Sequence, residues 1–200
     1  MASLKEVKVR IGSVSNTRKI TSAMKMVASA KLHKAQSMIG SFIPYQEKLD
    51  GTLTNLLSAD GGYTSPYAET REVKRVAIVA FASNSSLCGG FNSNVMKELN
   101  STYQAYKTKL GKDNVLVYAV GSKVDKFLAK QNIKPESSLD GMADKPTYEA
   151  ALNLSSELTS RYLKKEIDEI VLIYHHFKST GSQILTKKVF LPFDLILQIM

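Results

Sequence analysis

The sequence predicts an α/β protein, with one long N-terminal helix followed by a mainly parallel sheet carrying helices on both faces. Three observations predict it. Apolar residues recur with a 3.5-residue period from Leu4 to Leu56, apolar runs follow at 75–82, 115–120 and 167–177, and helix-length segments separate those runs. Strands alternating with helices imply βαβ units, hence a parallel sheet sandwiched between helical layers.

The helix comes first. Stepping by three and four alternately from Leu4 reaches Val7, Ile11, Val14, Arg18, Thr21, Lys25, Ala28, Leu32, Ala35, Ile39, Phe42, Gln46, Leu49, Leu53 and Leu56. Twelve of these sixteen positions are apolar, where a chain that is 44% apolar gives about seven by chance. This is the seam of a coiled coil. At about 1.5 Å per residue the helix is roughly 80 Å long, whereas a compact domain of the remaining residues is roughly 30–35 Å across. Gly12, Gly40 and Gly51 each cost about 1 kcal/mol inside a helix, and Pro44 about 3 kcal/mol. The seam of Leu4, Val7, Ile11, Val14, Ala28, Leu32, Ile39, Phe42, Leu49, Leu53 and Leu56 therefore needs a second long helix to cover it.

Charge is placed unevenly. Of the net +9, residues 1–34 carry +7: Lys5, Lys8, Arg10, Arg18, Lys19, Lys25, Lys31 and Lys34 stand against Glu6. Such a concentration implies an acidic partner. Arg18, Thr21 and Lys25 also interrupt the seam, and there the apolar residues shift sideways to Ile20, Met24, Val27 and Ala30. The helix turns a second face outward at that point. Arg18, Lys19, Met24 and Lys25 form the candidate contact collar, with methionine offering a soft, adaptable surface.

Beyond the helix, residues 60–72 form a linker around Asp60-Gly61-Gly62 and Ser65-Pro66, residues 73–194 an α/β domain, and residues 195–200 a tail. Arg75–Ala82 is a strand buried on both faces. Asn92 is a plausible cap for a helix reaching about Leu110, with Gly111 just past its end. Val115–Val120 is a second strand, and Gly121-Ser122 opens a short helix that ends near Gln131. Residues 132–145 are turn-rich, with a short strand around Ile133. Pro146-Thr147 begins a helix to about Lys165, Ile167–Phe177 is a third strand, and Gln183–Leu191 alternates like an antiparallel edge strand.

Several function classes find little support in the residues. The longest apolar runs fall far short of the roughly 18 residues a membrane span needs. Cys88 is the single cysteine, which excludes an internal disulfide and suits a reducing compartment. Charges recur from Lys5 onward, unlike a secretory leader; the first thirty residues imitate a mitochondrial presequence, but the heptad runs on through them. The loop Ser85-Ser86-Leu87-Cys88-Gly89-Gly90 matches neither G-x-G-x-x-G nor the P-loop pattern, so it reads as a structural turn and no cofactor is expected. His175 and His176 face opposite sides of a strand and cannot share a metal, and Cys88 has no evident base. Two alternatives stay open: a basic-helix nucleic-acid binder, though no aromatic residue precedes Phe42 for stacking, and a small α/β enzyme.

One stretch narrows the choice. Ile11-Gly-Ser-Val-Ser-Asn-Thr-Arg-Lys-Ile-Thr-Ser-Ala-Met-Lys-Met-Val-Ala-Ser-Ala-Lys-Leu32 resembles the gamma subunit of F-type ATP synthases, the central rotor shaft. Pro44-Tyr45 and Leu87-Cys88-Gly89-Gly90-Phe91-Asn92 fit the same family, and the likeness runs from about residue 3 to about residue 190. At Asn84-Ser85-Ser86 that family commonly has an acid, an arginine and a glycine, so its charged loop contacts are not expected here.

The resemblance implies a non-catalytic subunit of a proton-translocating synthase, with no nucleic-acid partner and no span of its own. Its implied partners are the alpha and beta subunits of the F1 head, the epsilon subunit and the membrane c-ring. The implied location is peripheral, on the cytoplasmic face of a bacterial inner membrane or the matrix face of a mitochondrial one. It also implies that the seam pairs with a C-terminal helix. The chain is therefore expected to be a truncated copy, because Met200 precedes any such helix.

Overall fold

The structure is a computed structural model that describes residues 3–58 and 65–193. The chain divides into two units, Met1–Asp60 and Gly61–Met200.

The first unit is helix α1, Leu4–Ser58, 55 residues long. Its start is set by a reciprocal cap: the Ser3 N–H donates to Glu6 Oε2 at 2.8 Å, and the Glu6 N–H donates to Ser3 Oγ at 3.3 Å. Pro44 lies inside the helix. It lacks the N–H that would bond the carbonyl four residues back, on Gly40, a residue whose missing Cβ leaves open space around it.

The second unit is a five-stranded sheet in the order β3-β2-β1-β4-β5. Its elements are β1 (Val76–Phe81), α2 (Phe91–Leu110), β2 (Val115–Val120), α3 (Ser122–Lys130), β3 (Ser137–Ser138), α4 (Asp140–Asp144), α5 (Tyr148–Leu163), β4 (Glu169–Ser179) and β5 (Ser182–Leu191). Strand β1 is central. It pairs in parallel with β2, Val76 opposite Val115, and with β4, Val76 opposite Glu169, while β5 returns antiparallel along β4. Val76 to Ala80 are fully buried, which is why the run is continuous rather than alternating. Val76, Ile78 and Ala80 pack with Val95, Leu99, Val124 and Leu128 of α2 and α3. Ala77 and Val79 pack with Leu154, Leu158 and Tyr162 of α5. Helices thus cover both faces, and the fold is the α/β arrangement read from the sequence.

Three details differ from that reading. The short strand is Ser137–Ser138 rather than a segment around Ile133, and it owes its place to flanking backbone bonds: the Glu136 N–H donates to the Val117 carbonyl and the Leu139 N–H to the Ala119 carbonyl, both at 2.8 Å. Ile133 instead packs on the α2–α3 side of the core. A one-turn helix, α4, occupies 140–144 where only turns were expected. Finally, Asn92 does not cap α2. That helix begins at Phe91 with Gly90 before it and no side-chain cap, while the Asn92 carboxamide accepts from the Ser83 N–H at 3.0 Å and donates to the Ser85 carbonyl at 2.8 Å. The tail at 195–200 lies outside the described residues.

The segment entering β1 is tied down by a nearly buried ion pair. Arg71 Nε donates to Asp168 Oδ1 at 2.6 Å, and its Nη2 reaches the Tyr162 carbonyl at 2.8 Å. The Lys74 and Arg75 N–H groups donate to Asp168 Oδ2 at 2.9 and 3.0 Å. Arg71 also lies over the Tyr162 ring, whose hydroxyl donates to the Glu69 carbonyl at 2.8 Å. Burial pushes the Asp168 pKa up, but those N–H donors and the Arg71 charge outweigh it and hold the carboxyl below its ordinary 3.8.

A carboxyl with a depressed folded pKa stabilises fully above its unfolded value and loses that contribution as pH falls through the folded one. Asp168→Asn is therefore expected to cost about 3 kcal/mol at neutral pH, by stranding part of the Arg71 charge. Its stability is expected to fall less steeply than the parent's below about pH 4. Urea unfolding followed by tyrosine fluorescence across that range checks both.

Candidate functional site: an uncovered seam and its basic collar

Helix α1 presents its apolar seam to solvent. Leu4 is 76% exposed, Ile11 63% and Phe42 60%, while the large core side chains of the α/β unit are at or near zero. Val7, Val14, Ala28, Leu32 and Leu49 are exposed as well, and Ile39 is half-buried. The side chains of Leu53 and Leu56 lie outside the described residues. Burying a leucine or isoleucine is worth about 1.5–3 kcal/mol, so a seam of this length forgoes a large stabilisation until something covers it. Where the seam breaks, Ile20, Met24 and Val27 are exposed in its place, each more than half.

Arg18, Lys19 and Lys25 stand in solvent beside that break, and among the described residues none of them forms an ion pair. The collar thus carries unneutralised positive charge next to exposed apolar side chains. The two threonine hydroxyls here are engaged within the helix: Thr17 Oγ1 donates to the Ser13 carbonyl at 3.0 Å and Thr21 Oγ1 to the Thr17 carbonyl at 2.9 Å. Thr21 breaks the seam without leaving an unmet polar group.

The second sequence motif forms the loop between β1 and α2. Gly89 adopts φ +56°, the left-handed region glycine tolerates, and the Cys88 carbonyl accepts from the Phe91 N–H at 3.2 Å to start α2. The Cys88 thiol accepts from Ser83 Oγ at 3.8 Å and donates to the Ser85 carbonyl at 3.6 Å, and Gly90 precedes the helix. Sequence reading missed the strut that holds this loop. Asn84 Oδ1 accepts from the Ser122 N–H at 2.7 Å, and its Nδ2 donates to the Asp140 carbonyl at 3.0 Å, so one amide joins the starts of α3 and α4. Gly121 completes the junction: a Cβ there would sit 2.3 Å from the Ala82 carbonyl oxygen, at a φ of +101°. No group of three or more residues suited to holding a metal exists among the described residues.

A family model described as ATP synthase matches residues 3–198. An ATP synthase gamma chain from Bacteroides thetaiotaomicron is 56% identical over 98% of this chain. The chain belongs to the ATP synthase gamma family. Another gamma chain, from Flavobacterium johnsoniae, is 44% identical over 96% of this chain. The chain spans 65% of the length of the first of these relatives and 66% of the second. Among solved structures, the central stalk and c-ring of the Tetrahymena thermophila mitochondrial ATP synthase matches with a TM-score of 0.56 at 20% identity, covering 86% of this chain and 72% of that one. A Euglena gracilis mitochondrial ATP synthase chain matches with a TM-score of 0.54 at 16% identity, covering 91% and 55% respectively. At such identities these two matches speak to the fold. Neither the nucleic-acid-binding reading nor the small-enzyme reading gains support from any of these relatives.

Two expectations follow for this family member. With its seam uncovered, the purified chain self-associates, and Ile11→Lys combined with Leu32→Lys abolishes that association; sedimentation velocity over a concentration series checks it. Gly121→Ala forces the β1 end away from α3 and costs roughly 2–3 kcal/mol of α/β-unit stability, readable as a lowered urea midpoint.

Proposed function

We propose that the chain serves as the shaft of a proton-translocating F-type ATP synthase, a non-catalytic part that carries torque between the membrane ring and the catalytic head. One observation carries this reading: a 55-residue helix whose seam lies open to a partner from Leu4 to Leu49 and is flanked by an unpaired basic collar. The seam residues Leu4, Val7, Ile11, Val14, Ala28, Leu32, Ile39, Phe42, Leu49, Leu53 and Leu56 pack against a second long helix, as knobs into holes. A pair packed that way resists twisting, so rotation at one end reaches the other. Residues 1–59 are the shaft element and residues 73–194 a folded foot joined to it by the linker at 60–72.

At the collar, Arg18, Lys19 and Lys25 meet acidic surface on the beta subunits of the alpha–beta head, and Met24 supplies a compliant apolar contact. The foot contacts the epsilon subunit and the c-ring, peripheral to the membrane on its cytoplasmic or matrix face. No bond is made or broken on this chain. It couples two distant sites mechanically, each step of rotation changing which catalytic subunit the asymmetric shaft presses. The loop at Cys88, Gly89 and Gly90 is a structural turn that starts α2, and no cofactor enters the work.

The test is charge reversal in a complete synthase. Lys19→Glu with Lys25→Glu is expected to lower ATP-driven proton pumping per ATP hydrolysed by roughly fivefold or more in inverted vesicles. Unchanged pumping with normal assembly overturns the collar assignment.

A further inference from the structure

Beyond the carboxyl ends of β1 and β2, and alongside the middle of β4, lies an open cavity of about 520 Å³, within the roughly 300–1,000 Å³ typical of small-molecule sites. It lies where the strand order reverses around β1, with β2 on one side and β4 on the other. In open α/β sheets that is the place where ligands sit. Phe81, Val120 and Leu172 from the three strands form its floor, and Met142 and Pro146 close it from the α4 side. One wall is a ready-made aromatic stack: the rings of Phe91 and His175 lie 4.1 Å apart and within 22° of parallel.

The lining decides the ligand's chemistry. The described residues that line the cavity are all uncharged, and its polar groups are few, from Ser83, Tyr174 and His175. Burial lowers the proton affinity of His175, so its ring is neutral and stacks as an aromatic. None of the described lining residues is a cation, so a phosphate or carboxylate entering here gains no ion pair to offset its lost hydration. A flat apolar ring instead exchanges water for the Phe91–His175 wall and the strand-end side chains.

We propose that this cavity binds a small, uncharged, planar aromatic molecule, seated against the Phe91–His175 stack. The site lies wholly within the α/β unit and is independent of the shaft function.

Indole is the probe, since the chain contains no tryptophan and indole emission can be followed without that background. Titration of the 200-residue chain is expected to saturate at or below about 1 mM. Indole-3-acetate, the same ring bearing a carboxylate, is expected to bind at least about tenfold more weakly. Amide shifts in a ¹H–¹⁵N spectrum should cluster at Phe81–Ser83, Val120, Met142–Ala143 and Leu172–His175. His175→Ala, which removes one ring of the wall, is expected to weaken indole about three- to tenfold. Lack of saturation, equal binding of the carboxylate, or shifts scattered away from the strand ends overturns the proposal. The probe comparison and the shift map need no variant, so they decide the matter even if His175→Ala does not fold.

Discussion

One constraint governs the first unit: an apolar stripe roughly 80 Å long lies on a single helix. Helix propensity alone does not hold 55 residues together in water, least of all with Pro44 and three glycines among them. Burial of the stripe against a second helix would hold it, and this helix supplies only half of that contact. The capping box at Ser3 and Glu6 and the threonine back-bonds regulate the ends and the surface of the helix. They do not replace the missing face.

The α/β unit solves the opposite problem. Its core is closed on both sides of β1, and its joints are fixed by directional contacts: Asp168 gathers Arg71 and two backbone N–H groups at the amino end of the strands, and Asn84 ties α3 to α4 at their carboxyl end. Gly121 lets β1 and β2 meet closely at their carboxyl ends, which positions the floor of the cavity. Tyr106 donates to Glu169 across the α2–β4 contact, adding a polar tie at the start of β4. Among the described residues, the α/β unit closes its core and the long helix leaves its stripe open.

Legibility followed the range of the forces involved. The seam was readable because a 3.5-residue repeat sustained from Leu4 to Leu56 has few other physical causes. The strands at Val76 and Val115 announced themselves as continuous apolar runs, the mark of burial on both faces. The basic collar was visible as a local excess of charge. Strand β3 was not, because two serines have no strand preference and are placed by carbonyls of β2 that lie far away in sequence. The role of Asn92 was misread for a similar reason: it looks like a helix cap locally, but its amide is claimed by Ser83 and Ser85. The cavity was invisible, since Phe91, Met142 and His175 meet only through the tertiary fold.

Thr17 and Thr21 have a last consequence. Their hydroxyls spend their hydrogen bonds on their own backbone, so these two positions offer little directional bonding to whatever lies beside them. Dispersion through the threonine methyls is left as the main attraction at those two positions, and it varies smoothly as neighbours pass. On a shaft that turns, such positions would act as smooth points in a bearing, letting a neighbour go with no bond to break.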